Sequence, residues 1–255
     1  TLVIGSDEVF NCLQTFPVGY SRNLFGKGYE NKNVISYAAS FGHTSLEGLK
    51  KYNIDKEISL LLKKFNNISV RDKNSEEIVK ELVNKTPLVH LDPVLVCDYT
   101  AEINNNLVPL ENYIIVYAYS GRLTKQEEQY IKWFAKKYNK KIVSLGFYQK
   151  IADYNLIIDP FMVLSYIKNA DFVITDTFHG TVFSIKMNTK FCTIIRKSNY
   201  NKLYYLLNKL GHTTQMVNNI KDIEIIYKKE INFNNSNKIL NAEKNKTIEY
   251  LKNNI

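Results

Sequence analysis

The stretch Phe172-Val173-Ile174-Thr175-Asp176-Thr177-Phe178-His179-Gly180-Thr181 decides the fold. Phe172 to Thr175 is an apolar, β-branched run of the kind that forms a buried strand. Polar residues follow it directly, and a helix begins near His179. A strand that passes this quickly into a helix is a unit of a parallel sheet covered by helices. Backbone N–H groups exposed at a helix start bind anions. Thr177 and Thr181 add hydroxyl donors, Gly180 lets a ligand or a second backbone come close, and His179 can carry a proton near neutral pH. A lone histidine is ordinarily structural; this one, at a strand end and beside glycine at a helix start, is read as a site residue.

The same alternation extends outward in both directions. Strands are expected at Leu2–Ile4, Val34–Ala38, Ile68–Val70 and Leu88–His90. After a gap they resume at Tyr113–Tyr117, Ile142–Leu145, Phe172–Thr175 and Phe191–Ile195. Thr124 followed by Glu127 is a capping box, ahead of Ile131, Phe134 and Tyr138 at helical spacing. Asp159-Pro160 places an N-cap before proline at the first helical position. Glu76 and Glu77 favour a helix start ahead of Ile78, Val79, Leu82 and Val83. A polar helix is expected from about Asn235 to Asn253. Between Cys97 and Asn112, where Asn104-Asn105-Asn106 and Pro109 lie, the pattern lapses as in a linker. Asn232 to Asn237 is a second polar connector. The expected architecture is α/β: one Rossmann-like half over residues 1–104, a second over 112–230, and a terminal helix over 231–255. Two such halves facing each other leave a cleft between them, and open α/β sheets bind ligands beyond the carboxyl ends of their strands.

Composition sets outer bounds. The 255 residues suffice for one large α/β domain or two ordinary ones, and 45% are hydrophobic, as in globular proteins. The longest apolar run, Tyr113 to Tyr119, is far short of the ~20 residues that a spanning helix needs. Leu2-Val3-Ile4 already reads as a buried strand directly after Thr1, so a segment upstream of Thr1 is expected. Cys12, Cys97 and Cys192 show no metal or redox spacing and read as small apolar residues in a reducing compartment. The formal net charge of +9 comes from lysines that read as scattered over helix faces, with no nucleic-acid motif among them. It is compatible with an anionic substrate.

The residues just beyond the strands are the remaining site candidates. Gly5-Ser6-Asp7-Glu8 follows the first strand; Asp7 is either the N-cap of a βα turn or a base for a sugar hydroxyl, with Glu8 a neighbouring acid. Small residues around Ser40 after the second strand permit close approach, and His43 is read as a solvated loop residue. Arg71 follows the third strand. Its fork either binds a carboxylate or phosphate or forms a structural pair with Asp72 or Glu77. Arg196-Lys197-Ser198 after the last strand either lines the cleft or meets solvent.

In this order the segments resemble the polysaccharide pyruvyl transferase family. The resemblance rests on Gly5-Ser6-Asp7-Glu8-Val9-Phe10-Asn11, Tyr37 to Gly42, Ser69-Val70-Arg71-Asp72 with Ser75, Asp92-Pro93-Val94, and Thr175 to Phe183; it spans about Thr1 to Leu210. It implies a GT-B-like pair of Rossmann-like domains, the first on the acceptor side and the second on the donor side. It also implies transfer of pyruvate from phosphoenolpyruvate to a sugar, forming a ketal on two hydroxyls. The acceptor it implies is a cell-surface polysaccharide or its nucleotide- or lipid-linked precursor. The resemblance further implies a cytoplasmic enzyme, for which peripheral contact with the inner face of the membrane is an expectation, and neither metal, bound cofactor nor nucleic acid is expected. In that chemistry His179 is the candidate acid and Asp7 the candidate base. Gly5, Ser6, Ser40, Arg71, Thr177, Gly180, Thr181 and Arg196 are the candidate binding residues. The chain departs from the family where Thr177 stands in place of an arginine, Glu8 of a glutamine and Phe10 of a tryptophan. Arg196 or Lys197 would then supply the missing cation. Two rival readings are a glycosyltransferase using a nucleotide sugar and a non-catalytic glycan-assembly protein.

Overall fold

A computed structural model describes residues 1–14, 20–29, 31–103 and 108–255. The chain forms two compact units: Thr1–Val96 with Ile239–Ile255, and Cys97–Lys238. Asn104, Asn105 and Asn106 of the expected linker lie outside the described residues.

In the first unit β1 (Leu2–Gly5) pairs in parallel with β2 (Val34–Tyr37), and β3 (Ser69–Val70) with β4 (Leu88–Val89). Parallel bridges Ile35–Asn67 and Ala39–Val70 join the two pairs, giving the order β1-β2-β3-β4. All four residues of β2 are buried, as befits an inner strand. Helices α1 (Leu46–Lys51), α2 (Asp55–Leu62), α3 (Lys73–Val83) and the single turn α4 (Pro93–Val96) accompany them. The core centres on Phe10, which stacks on Phe25 at 4.8 Å and contacts Phe41 and Phe65. An aromatic other than tryptophan thus fills this position.

The second unit is a six-stranded parallel sheet in the order β10-β9-β8-β5-β6-β7. Its strands are β5 (Tyr113–Tyr117), β6 (Lys141–Leu145), β7 (Tyr154–Leu156), β8 (Phe172–Thr175), β9 (Phe191–Ile194) and β10 (Met216–Val217). Its helices are α5 (Lys125–Lys137), α6 (Pro160–Asn169), α7 (Phe178–Lys186), α8 (Tyr200–Leu210) and α9 (Asp222–Lys228). Both halves of the Thr124–Glu127 capping box form, and Asp159 caps α6. From β5 the chain runs outward to β6 and β7, then returns to place β8, β9 and β10 on the other side. The order therefore reverses between β5 and β8, and ligands bind doubly wound sheets at such a crevice.

The terminal helix α10 (Asn234–Asn254) is not a segment apart. From Ile239 onward it belongs to the first unit. There the Tyr250 hydroxyl donates to the Ser36 carbonyl at 2.7 Å and Lys246 to the Val89 carbonyl at 2.8 Å. Its polar sequence hid this role, because only a few side chains, Tyr250 foremost, carry the contact. Cys12 and Cys192 are buried, whereas Cys97 is exposed, so the apolar reading fits only the first two. Among the described residues no helix is long and apolar enough to cross a membrane.

Candidate functional site

Each unit gathers charged side chains just past its strand ends. In the first unit Gly5 ends β1 at φ 138°, and a Cβ there would lie 2.0 Å from the Tyr37 carbonyl oxygen, so only glycine fits. No helix follows. Asp7 sits in the left-handed region, at φ 64°, so it caps nothing and turns outward instead. Its carbonyl accepts from the Ser40 N–H at 2.9 Å. Its carboxylate accepts from Arg71 Nη2 at 2.8 Å, while Arg71 Nη1 donates to Asp92 at 2.7 Å. Arg71 and Asp92 side chains are each 3% exposed, Asp7 64%. Arg71 is therefore engaged on two carboxylates, and neither partner is the Asp72 or Glu77 that its neighbourhood in sequence suggested.

Asp72 has other work: it caps α3 through the Ser75 N–H and accepts from the Ser40 hydroxyl at 2.6 Å. That hydroxyl also accepts from the Gly42 N–H, so buried Ser40 fixes the loop. Asn11 is a second hub, donating to Glu8, contacting His43 Nδ1 and accepting from Thr44 and the Leu13 N–H. His43 reaches the Leu13 carbonyl as well, so it is tied into this loop and not merely solvated.

In the second unit the switch point is closed by hydroxyls. Thr175 donates to the Tyr117 carbonyl at 2.7 Å, joining the carboxyl ends of β8 and β5. Thr177 is the N-cap of α7, accepting from the Gly180 N–H at 2.9 Å. Thr181 donates back to the Thr177 carbonyl and meets Thr193 of β9. Both hydroxyls are buried and bonded within the fold, where the sequence offered them as ligand donors. Gly180 is a packing glycine: an added Cβ would lie 2.2 Å from Thr175 Oγ1 and 2.9 Å from the Tyr117 ring. His179 projects half-buried from the first turn of α7, with its ring 5.9 Å from that of Phe183. Phe183 meets Tyr117, and Tyr117 and Tyr119 meet Phe147, so one aromatic series runs on from the histidine.

Beside it stands a cluster only partly read from the sequence. Asp176 is completely buried, and its Oδ2 receives Arg122 Nε at 3.2 Å and Arg196 Nε at 3.3 Å. Asp176 Oδ1 has no hydrogen-bond partner. Burial pushes the Asp176 carboxyl up from its ordinary range, against the pull of the two guanidiniums. Arg196 also forms a two-pronged pair with Glu127, at 2.8 and 2.9 Å. Burial works against ionised Glu127 as well, but the Arg196 fork and the Thr124 N–H together hold its carboxyl below the usual range. Arg122 donates to Ser198, and Asn199 to the Asp176 carbonyl. Arg196 thus neither lines open space alone nor simply meets solvent. Arg122 and Asn199 escaped the sequence reading, and Asp176 stood in it without a role. The signal available for Arg122 was its place just beyond β5, which the lapse into Tyr119-Ser120-Gly121 obscured.

Gly5, Ser6, Asp7, Ser40 and Arg71 therefore come together in the first unit. Thr177, His179, Gly180, Thr181 and Arg196 do so in the second. Among the described residues no group of three or more His, Cys, Asp or Glu side chains is placed to hold a metal ion. A family model described as polysaccharide pyruvyl transferase matches residues 1–199. The chain belongs to the polysaccharide pyruvyl transferase family. It is a transferase by that membership. No curated protein is detectably similar in sequence. Among solved structures, the UDP-GlcNAc 2-epimerase from Methanocaldococcus jannaschii is similar with a TM-score of 0.55 at 12% identity, over 87% of this chain and 70% of that one. An α,α-trehalose-phosphate synthase (UDP-forming) from Burkholderia vietnamiensis gives a TM-score of 0.48 at 8% identity, over 87% and 65%. The likeness to the epimerase speaks for the fold alone, an α/β architecture built on parallel strands.

Proposed function

We propose that this transferase moves pyruvate from phosphoenolpyruvate to a sugar of a cell-surface polysaccharide or its lipid- or nucleotide-linked precursor. The reading takes the two α/β units as the halves of a GT-B-like enzyme, working without a bound cofactor on the cytoplasmic side of the cell membrane. A proton adds to the methylene carbon of the donor, making a methyl group. One sugar hydroxyl bonds to the neighbouring carbon and gives up its proton. A second hydroxyl then bonds to the same carbon as the carbon–oxygen bond to phosphate breaks, its proton leaves with the inorganic phosphate, and a cyclic ketal is formed.

The observation that carries the reading is the place of His179, half-buried on the first turn of α7 beside the β5–β8 switch point. The hydroxyls around it are occupied in capping and packing, which leaves the imidazole as the titratable group for protonation there. Arg122 and Arg196, steadied on Asp176, are the cations for the donor's phosphate and carboxylate, in place of an arginine at Thr177. Asp7, oriented by Arg71, is the group that receives the acceptor hydroxyl's proton.

The test is phosphate release from phosphoenolpyruvate with lipid-linked and nucleotide-linked sugars as acceptors. His179→Ala is expected to slow it by about 10²–10⁴-fold. Full activity in that variant would remove the histidine from the mechanism. If nucleotide sugars raise the melting temperature and phosphoenolpyruvate does not, the glycosyltransferase reading replaces this one.

A further inference from the structure

Lysines that read as scattered along the sequence gather around α5 of the second unit, lining two hollows. Lys132, Lys136, Lys140 and Lys141 line a hollow at the end of α5, with Asp153 as its one acid. That carboxylate already accepts the Ile142 N–H. Across the outward face of α5 lies a groove of about 500 Å³ formed with α9 and lined by Tyr130, Trp133, Lys221, Glu224, Ile225 and Lys228. Its acid, Glu224, is taken by Lys137 and Lys228. Lys132, Lys136, Lys141 and Lys221 are exposed and make no ion pair among the described residues.

Apolar groups stand among these charges. Trp133 is 46% exposed and Ile225 53%. Trp133 lies against Tyr130 at 5.1 Å and carries the Lys137 ammonium 4.7 Å from its ring. The core-facing side of α5 is already filled by Ile131, Phe134 and Ala135, and Tyr130 packs partly against that core, whereas Trp133 and Ile225 stand outside it.

The geometry points to an anionic lipid surface as the occupant of this face. Lysines on long stems reach the phosphates of a bilayer, while tryptophan, tyrosine and isoleucine enter the boundary between headgroups and acyl chains. A nucleic-acid backbone would satisfy the lysines but offers Ile225 no apolar environment. Attraction of one lysine to an acidic membrane is worth about fivefold in partitioning. Four unpaired ones beside an apolar wedge give reversible, salt-sensitive attachment. The face is separate from the strand-end residues, so attachment is independent of the donor and of the reaction.

Trp133 is the only tryptophan in the chain, which makes it a reporter on this face. The experiment mixes the protein with vesicles of phosphatidylcholine alone or of phosphatidylcholine and phosphatidylglycerol in equal parts. Sedimentation and tryptophan emission are then followed at low and high salt. Co-sedimentation with the anionic vesicles, a blue shift and quenching by brominated acyl chains are expected, all lost at high salt. The combined variant Lys132→Ala/Lys136→Ala/Lys141→Ala, with its melting temperature checked, is expected to partition at least tenfold less. Absence of binding to the anionic vesicles overturns the inference. So does binding that leaves the Trp133 emission unmoved, since another surface would then be in contact.

Discussion

In the first unit one arginine serves two carboxylates; in the second one carboxylate serves two arginines. Both clusters stand just past the ends of parallel strands, and both rest on a buried aspartate, Asp92 or Asp176. They differ in what they turn outward. Arg71 is buried and presents Asp7, an exposed carboxylate, whereas Asp176 is buried and presents the partly exposed edges of Arg122 and Arg196. Among the named groups, Arg71 against Asp7 and Asp92 leaves a charge of −1; Arg122 and Arg196 against Asp176 and Glu127 leave zero. A further anion is repelled by the first arrangement and tolerated by the second. Under the proposed function this separates the substrates: a sugar hydroxyl suits Asp7, and the phosphate and carboxylate of the donor suit the two guanidiniums.

The contrast breaks first at Arg71. Arg71→Ala takes the guanidinium from buried Asp92, and loss of one partner of a buried pair costs about 3–5 kcal/mol. A fall in melting temperature of roughly 10 °C or more is expected. Arg196→Ala leaves Arg122 on Asp176 and is expected to cost only about 1–3 kcal/mol. Equal costs by urea titration would mean that the clusters are not inverse in construction. Gly180→Ala comes next. Its methyl collides with Thr175 Oγ1 at the switch point, and overpacking of this kind costs about 1–3 kcal/mol. Asp7→Asn is milder still in stability, under about 1 kcal/mol, because the carboxylate is exposed. Its effect is expected in acceptor-dependent turnover, measured as phosphate release, while donor binding by thermal shift stays unchanged.

The inner strands were legible in the sequence because burial on both faces demands continuous apolar runs such as Tyr113–Tyr117 and Phe172–Thr175. The edge strands β7 and β10 were not, since Tyr154–Leu156 is largely exposed and Met216–Val217 is only a two-residue bridge. Local chemistry was legible too: the Thr124–Glu127 box and the Asp159 cap formed as their spacing requires. Partners distant in sequence were not. Nothing near Arg71 names Asp92, 21 residues on, and nothing in a capping box tells that Glu127 also grips Arg196, 69 residues away. Thr177 and Thr181 misled for a related reason. A hydroxyl at a helix start can serve a ligand or the helix, and the backbone N–H groups of the first turn were the nearer partners.

The smallest expected effect tests the second cluster by pH. Asp176 titrates above its ordinary value, so the native state binds more protons than the unfolded one as pH rises past 3.8; its contribution is full below that value and is lost through the folded one. Glu127 has the opposite sign: its contribution is full above 4.5 and is lost as pH falls through its lowered folded value. In the acid range the two slopes oppose each other within one cluster. Glu127→Gln removes the term that weakens the protein on acidification, so its stability is expected to fall less steeply with acid than that of the wild type. Asp176→Asn removes the opposing term and is expected to fall more steeply. Urea unfolding across this range reads both slopes. Variants that bend the curve in the same direction would show that Arg196 does not couple Glu127 to Asp176 as the distances require.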